Sequence, residues 1–241
     1  MIDWNGIELP EKNIYFKDDD TVIYCADCRL VLPLLPDKSI DLVFTDPPYN
    51  VDKEYDNYKD KLTKQGYKEI IEWLFQQVWR LSGGRTVIVL GSYGKILKTW
   101  WDFIPDAKLI VVKMGAISRN TQKNMWLQFH PLLTTVPSYN LISDLWEDIR
   151  WPGEGYFFNE ERFGHPAMTP ERLARKVVAN FSPALGTIID PFGGVGTIAV
   201  GAKAVGRKCI SIEVSEEYCE RAVERLRQSV MKLDTVVVAK G

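Results

Sequence analysis

The chain has 241 residues, 46% of them hydrophobic and 26% charged, with a formal net charge of −2. This suits a single globular domain over 1–241 with a sizeable core, and the near-neutral balance gives no whole-chain attraction to a polyanion. No stretch approaches the roughly 20 apolar residues of a bilayer span. The opening MIDWNGIELPEKN lacks the basic start and apolar run of a signal peptide, so a cytoplasmic protein without membrane contact is expected.

In chain order, strands are expected at 21–26, 40–45, 85–91 and 108–113, with a further candidate at 126–136, and then at 186–190 and 208–213. Helices are expected at 67–81, 94–102, 170–181, 196–205 and 215–229. In the first of these, Ile70, Ile71, Leu74, Phe75, Val78 and Leu81 recur at helical spacing, and Gly83-Gly84 ends it. Ser215, followed by Glu216 and Glu217, has the form of an N-cap with acids in the first turn. Alternating strands and helices predict a mostly parallel sheet covered by helices on both faces. Residues 114–165, rich in Trp, Phe, Pro, Gly and Asn, show no clear period and are expected to form an irregular insertion. Residues 50–66 are polar and expected to form a surface loop. There is no internal repeat.

Cys25 and Cys28 form a C-x-x-C, but Cys209 and Cys219 have the wrong spacing for a second pair and only two histidines exist. Reduced core thiols are the expectation, with no metal site. No acid lies between Asp106 and Asp144, whereas Lys108, Lys113, Arg119 and Lys123 do. Lys113, Arg119 and Lys123 are candidate phosphate contacts, although a solvated face without acids reads the same way.

Two stretches carry chemistry. Residues 186–213 run from a strand through Asp190-Pro191-Phe192-Gly193-Gly194-Val195-Gly196-Thr197 into a helix and a second strand ending in Glu213. Glycines at such a turn let backbone approach a ligand, and an acid ending the next strand can accept hydrogen bonds from ribose hydroxyls. The pattern fits an NAD enzyme, an S-adenosylmethionine enzyme or a plain tight turn. Asp190 favours the second, because a ligand without phosphate would not be repelled and its ammonium group would be attracted.

Residues 40–50 read IDLVFTDPPYN, a buried strand that ends in Asp46-Pro47-Pro48-Tyr49. An exocyclic base amine is a poor nucleophile because its lone pair is delocalised into the ring. Acceptors around its two hydrogens free that lone pair. The Asp46 carboxylate and the Pro47 carbonyl can be those acceptors, and prolines fix φ and remove N–H groups from the wall. Tyr49 can stack on a base. The bland alternative is a strand-end turn, since Asp and Pro are common there. In an open α/β sheet both stretches belong in one crevice beyond the carboxyl ends of the strands, with Asp27 and Glu213.

Together these stretches resemble the amino-methylating DNA methyltransferases, in the β-group order, where the DPPY motif precedes the glycine motif. CADCRLVLPLLPDKSIDLVFTDPPYN, GHPAMTPERLARKVVANFSPALGTIIDPFGGVGT and GRKCISIEVSEEYCERAVERL carry the likeness over most of the chain. The resemblance implies a Rossmann-like S-adenosylmethionine-dependent methyltransferase fold with permuted motif order, a double-stranded DNA substrate, and target recognition within 114–165. It implies a role in restriction-modification, and a homodimer is compatible with it. By the same resemblance Asp46, Pro47, Pro48 and Tyr49 hold the flipped base. Asp27, Asp46, Asp190, Phe192, Gly193, Gly194, Gly196, Thr197 and Glu213 line the cofactor pocket, and His165 and Thr169 approach the cofactor carboxylate. His165 also fits a plain helix-entry residue before Pro166.

Two positions depart from the family pattern: Val195, where Ser or Thr is usual, and Thr169, where Lys is usual. Both imply altered cofactor affinity. Asp rather than Ser before Pro-Pro favours N6 of adenine over N4 of cytosine, and Asp rather than Asn favours DNA over RNA or protein. A catalytically idle binding subunit and an NAD oxidoreductase are the competing classes.

Overall fold

The computed structural model describes residues 1–48, 50, 54–55, 58–59, 62–89, 101–102, 106–120, 125–135, 138–140, 142–147, 149 and 168–238. The expected helix at 94–102 lies outside these residues except for Trp101 and Asp102, as do the last two residues of the expected strand at 85–91.

The chain opens with a hairpin, β1 (Ile2–Trp4) and β2 (Ile7–Leu9), then β3 (Ile14–Lys17) and β4 (Thr21–Cys25). A short α1 (Cys28–Val31) and a 3-10 turn lead to β5 (Leu42–Thr45). A two-stranded ribbon, β6 (Glu54–Tyr55) and β7 (Tyr58–Lys59), precedes α2 (Lys64–Ser82) and β8 (Thr86–Val89). Then come β9 (Lys108–Asn120), β10 (Met125–Thr134) and β11 (Leu145–Trp146). The chain closes with α3 (Glu171–Phe181), β12 (Thr187–Asp190), α4 (Thr197–Ala204), β13 (Lys208–Glu213) and α5 (Glu216–Val238).

Nine of these strands form one sheet in the order β11-β9-β10-β8-β5-β12-β13-β4-β3. The five central strands, β8, β5, β12, β13 and β4, are parallel to one another. Parallel strands need crossover connections, and α2, α3 and α4 help supply them. Both faces are buried, as the near-continuous apolar strands require. Leu42, Phe44 and Ile188 pack on the face carrying Leu173, Val177, Ile198 and Leu226. Their alternating neighbours Val43 and Ile189 pack on the other, against Val31, Ile71, Leu74 and Val78. Deleting one such side chain, as in Leu74→Ala, would cost about 2–5 kcal/mol.

The helix ends follow local chemistry. Thr63 caps α2, its side chain accepting from the Gly66 N–H at 3.0 Å, and Gly83 ends it in the left-handed conformation at φ 66°. The Ser215 hydroxyl oxygen accepts from the Tyr218 N–H at 3.4 Å at the start of α5.

The expected irregular insertion is corrected in part. β9 continues without a break through Asn120, and β10 returns antiparallel to it, pairing Met125 with Asn120 and Thr134 with Lys108. The order there comes from ladder bonds between two strands, and MGAISRN carries no apolar alternation to announce them. β1, β2, β3, the ribbon β6–β7 within the expected loop at 50–66 and the two-residue β11 are likewise absent from the sequence expectation. Among the described residues, no helix is long and apolar enough to cross a membrane.

Candidate active site

Because the central strands are parallel, the residues that follow them collect at one edge of the sheet. β4 delivers Asp27, β5 delivers Asp46, β12 ends in Asp190 and β13 ends in Glu213. A cavity of about 240 Å³ opens there, lined by these four acids and by Pro47, Pro48, Phe192, Gly193, Gly194 and Thr169.

β5 and β12 are neighbours in the sheet although 145 residues separate Thr45 from Asp190. The Thr45 hydroxyl donates to Asp190 Oδ1 at 3.0 Å, and the Phe192 N–H donates to the same oxygen at 3.1 Å. Asp190 is only 2% exposed. Burial pushes its carboxyl up to about 7. The two donated bonds oppose that rise, and the nearby Asp46 and Glu213 add to it. A buried carboxylate among other acids is a site that a cation would stabilise.

The glycine turn is built by close backbone approach. The Gly193 N–H donates to the Ile212 carbonyl at 2.7 Å, and a Cβ at Gly193 would lie 2.0 Å from Ser211 Oγ. Gly196 has φ 75°, and a Cβ there would lie 2.6 Å from that of Ala222. Only glycine meets both demands at such points. Glu213 ties the turn to β13: its Oε2 accepts from the Gly194 N–H at 2.7 Å and its Oε1 from the Ser215 N–H at 2.8 Å. Burial raises the Glu213 carboxyl above its ordinary value, against these backbone donors.

Asp27 caps α1, accepting from the Arg29 N–H at 2.8 Å, and pairs with the Arg29 guanidinium at 2.5 Å. The Arg29 side chain holds its carboxyl below the usual range. Pro48 is anchored from α2, where the Tyr67 hydroxyl donates to the Pro48 carbonyl at 3.1 Å.

The two unusual positions have physical explanations. Val195 is buried in a small apolar cluster with Met168 and Tyr218, and all three line the cavity. Thr169 is 5% exposed, and its hydroxyl donates to Asp46 Oδ2 at 2.6 Å.

Several site residues were not singled out beforehand. Ile70 and Leu74 were placed in the helical stripe as core, yet with Trp73 they line the cavity from α2. Arg225 has no role in any motif of the sequence. It is 4% exposed and donates to the Val195 carbonyl at 2.7 Å and to Thr197 Oγ1 at 2.8 Å, clamping the glycine turn from α5. Its only signal was an arginine on a mostly apolar helical stripe with Ala222 and Leu226.

The basic face is reduced. Lys113 is exposed, but its Nζ lies 2.7 Å from Glu147 Oε1, an acid brought alongside by the pairing of β11 with β9. The segment without acids in sequence therefore has one beside it in space. Tyr49, His165 and Lys123 lie outside the described residues, as does the side chain of Arg119. The four cysteines are free, and burial pushes the Cys28 thiol up to about 12.

Residues 106–224 match the family model described as DNA methylase, N6_N4_Mtase. Among curated proteins, the type II methyltransferase M.ScaI of Streptomyces caespitosus is 27% identical, over 91% of this chain and 85% of its own length. Among solved structures, the M1.HpyAVI–SAM complex superposes with a TM-score of 0.63 at 20% identity, covering 86% of this chain and 98% of that one. The cytosine-N4-specific PvuII DNA methyltransferase gives a TM-score of 0.67 at 18% identity, covering 89% of each chain. The mostly parallel sheet, the acid-lined edge and these matches agree in supporting an amino-methylating DNA methyltransferase: the chain is similar to the N6/N4 DNA methylases.

Proposed function

We propose that this chain transfers a methyl group from S-adenosylmethionine to N6 of an adenine flipped out of double-stranded DNA. The observation that carries this reading is the juxtaposition of Asp46 and Asp190 at the ends of adjacent strands, with Thr45 bonded across to Asp190 at 3.0 Å. The donor set suits this cofactor. Asp190 is a buried acid for a cationic ligand, the glycine turn lets backbone approach, and Glu213 stands at the end of the next strand. Asp190, Phe192, Gly193, Gly194, Gly196, Thr197 and Glu213 would hold it, with Asp27 near its adenine. When bound, the cofactor supplies an electrophilic methyl group on a positively charged sulfur.

The chain's own residues do the rest. Asp46 accepts one hydrogen bond from the base amine and the Pro47 carbonyl the other, which draws the nitrogen towards tetrahedral geometry and frees its lone pair. Pro48, anchored by Tyr67, keeps that wall rigid. Tyr49 stacks on the flipped base. Holding amine and methyl in line provides the gain in effective concentration. Extrusion of the base is needed because the duplex hides the amine. Phosphate contacts from Lys113, Arg119 and Lys123 help offset its cost. Residues within 114–165 select the target sequence. A restriction-modification role and a cytoplasmic location go with this reading.

The second reading is N4 of cytosine, favoured by the likeness to the PvuII enzyme. Asp46 before Pro-Pro favours adenine, and both amines present the same geometry to Asp46 and Pro47. Incubation with labelled S-adenosylmethionine and unmethylated DNA, followed by nucleoside analysis, separates them. Label on the adenine amine, abolished by Asp46→Ala with the fold retained, is expected. Label confined to cytosine N4 hands the case to the second reading, and label on RNA or protein refutes the DNA substrate.

A further inference from the structure

Thr169 stands at the entry to α3, 123 residues from Asp46 in the chain, and its hydroxyl donates to Asp46 Oδ2 at 2.6 Å. The hydroxyl is delivered from a fixed platform. Met168 before it is buried with Val195 and Tyr218. Pro170 after it restricts φ and stands at the N-cap of α3. Thr169 itself is almost wholly inside. A buried hydroxyl that donates to a carboxylate makes a charge-assisted bond, roughly twice as strong as one between neutral groups. It also stops rotation about the Cβ–Cγ bond of the acid.

We propose that Thr169 is a positioning residue for Asp46: by engaging Oδ2 it fixes the plane of the carboxylate in which the base amine must find its acceptor. This deepens the methyl-transfer reading above and rests on it. It also gives Thr169 a different task from gripping the cofactor. The two tasks predict different kinetics. A cofactor ligand acts on the dissociation constant of S-adenosylmethionine. A residue that orders the acceptor acts on the chemical step.

The threonine also meets a local electrostatic need. The Asp46 charge is one of those that push the Asp190 carboxyl up in the same cleft. Each has its own hydroxyl, Thr169 for Asp46 and Thr45 for Asp190. Separate donors hold the two carboxyls in separate, defined orientations.

The test compares Thr169→Val, nearly isosteric but without the O–H, with Thr169→Ser, which keeps it, and Thr169→Ala as a second deletion. The substrates are labelled S-adenosylmethionine and unmethylated genomic DNA. Calorimetry gives the cofactor Kd, and circular dichroism checks the fold. Losing one bond to a charged acceptor is expected to lower kcat by ~10- to 100-fold in Thr169→Val and Thr169→Ala. The cofactor Kd and the KM for DNA should stay within about twofold, and Thr169→Ser should restore kcat to within about threefold of the unsubstituted chain. An unchanged kcat in Thr169→Val overturns the assignment. So does a weakened cofactor Kd with kcat retained, or a Thr169→Ser variant as slow as Thr169→Ala. An unsubstituted chain that labels no DNA refutes the methyl-transfer reading itself, and this assignment with it.

Discussion

Replacing Asp190 by Asn should make the ligand-free protein more stable, and the gain should depend on pH. Asp190 Oδ1 accepts from Thr45 and Phe192. An asparagine Oδ1 can accept both bonds, and its amide N–H mimics the O–H of a protonated acid. The folded carboxyl titrates at about 7 against an ordinary value of 3.8 because it is buried. Below the lower value both folded and unfolded chains bind the proton, and Asp190 costs nothing. As pH rises from there through the folded value, the unfolded chain is ionised first and stability is lost. Above about 7 the loss is complete and constant. That difference corresponds to about 4 kcal/mol as a ceiling. Water in the adjoining cleft relaxes part of the charge, so ~2–4 kcal/mol is the expected gap between Asp190→Asn and the unsubstituted chain at about pH 8. Urea unfolding of both proteins at about pH 4.5 and about pH 8 measures it. The gap should be small at the lower pH and grow to its full value at the higher. A gap of the same size at both, or a less stable Asp190→Asn at about pH 8, would refute the assignment of a burial penalty. The same variant should bind S-adenosylmethionine more weakly if the carboxylate attracts the cofactor's positive charge, which isothermal calorimetry reads directly.

Other perturbations test the turn and the basic face. Gly196→Ala forces a side chain into φ 75° and against the Cβ of Ala222 at 2.6 Å, so a loss of ~2–4 kcal/mol is expected from thermal unfolding. An unchanged Tm would show that the turn relaxes freely. Arg225→Met leaves the Val195 carbonyl and Thr197 without their donor. It should cost ~2–5 kcal/mol in urea and speed hydrogen exchange at the turn amides; a stabilised protein would contradict the clamp. Among the described residues, Lys113→Ala breaks an exposed pair with Glu147, so stability should change by less than ~1 kcal/mol. If Lys113 also meets phosphate, the salt dependence of DNA affinity should flatten by about one counterion, and an unaltered slope would remove it from the interface.

How much of the site could be read beforehand depended on how local its chemistry is. Asp46, Asp190 and Glu213 each end or follow an apolar strand, and the parallel order predicted from alternating elements puts such residues at one edge. Gly193 and Gly196 were legible because a close approach and a left-handed φ each leave a glycine behind. Ser215 as a cap and Gly83 as a stop were legible for the same reason, since helix ends are satisfied by neighbours in sequence. Strands at 108–113 and 126–136 were legible, but the extension of β9 to Asn120 and its pairing with β10 were not, because a ladder is satisfied by a partner strand and tolerates almost any side chain. No acid follows Asp106 in the chain before Asp144, yet β11 returns Glu147 to Lys113 from outside that stretch.

By itself the sequence determined the class of fold, the two motifs and the kind of chemistry they suit, because periodicity and turn residues are set by near neighbours. Only the tertiary structure decided what each motif touches. It paired Thr45 with Asp190 across two adjacent strands and gave Thr169 to Asp46. It buried Val195 against Met168 and Tyr218 and sent Arg225 from the last helix to hold the turn. Hydrogen bonds and packing act over a few ångströms, whereas Thr45 and Asp190, which bond at this cleft, lie 145 positions apart in the chain.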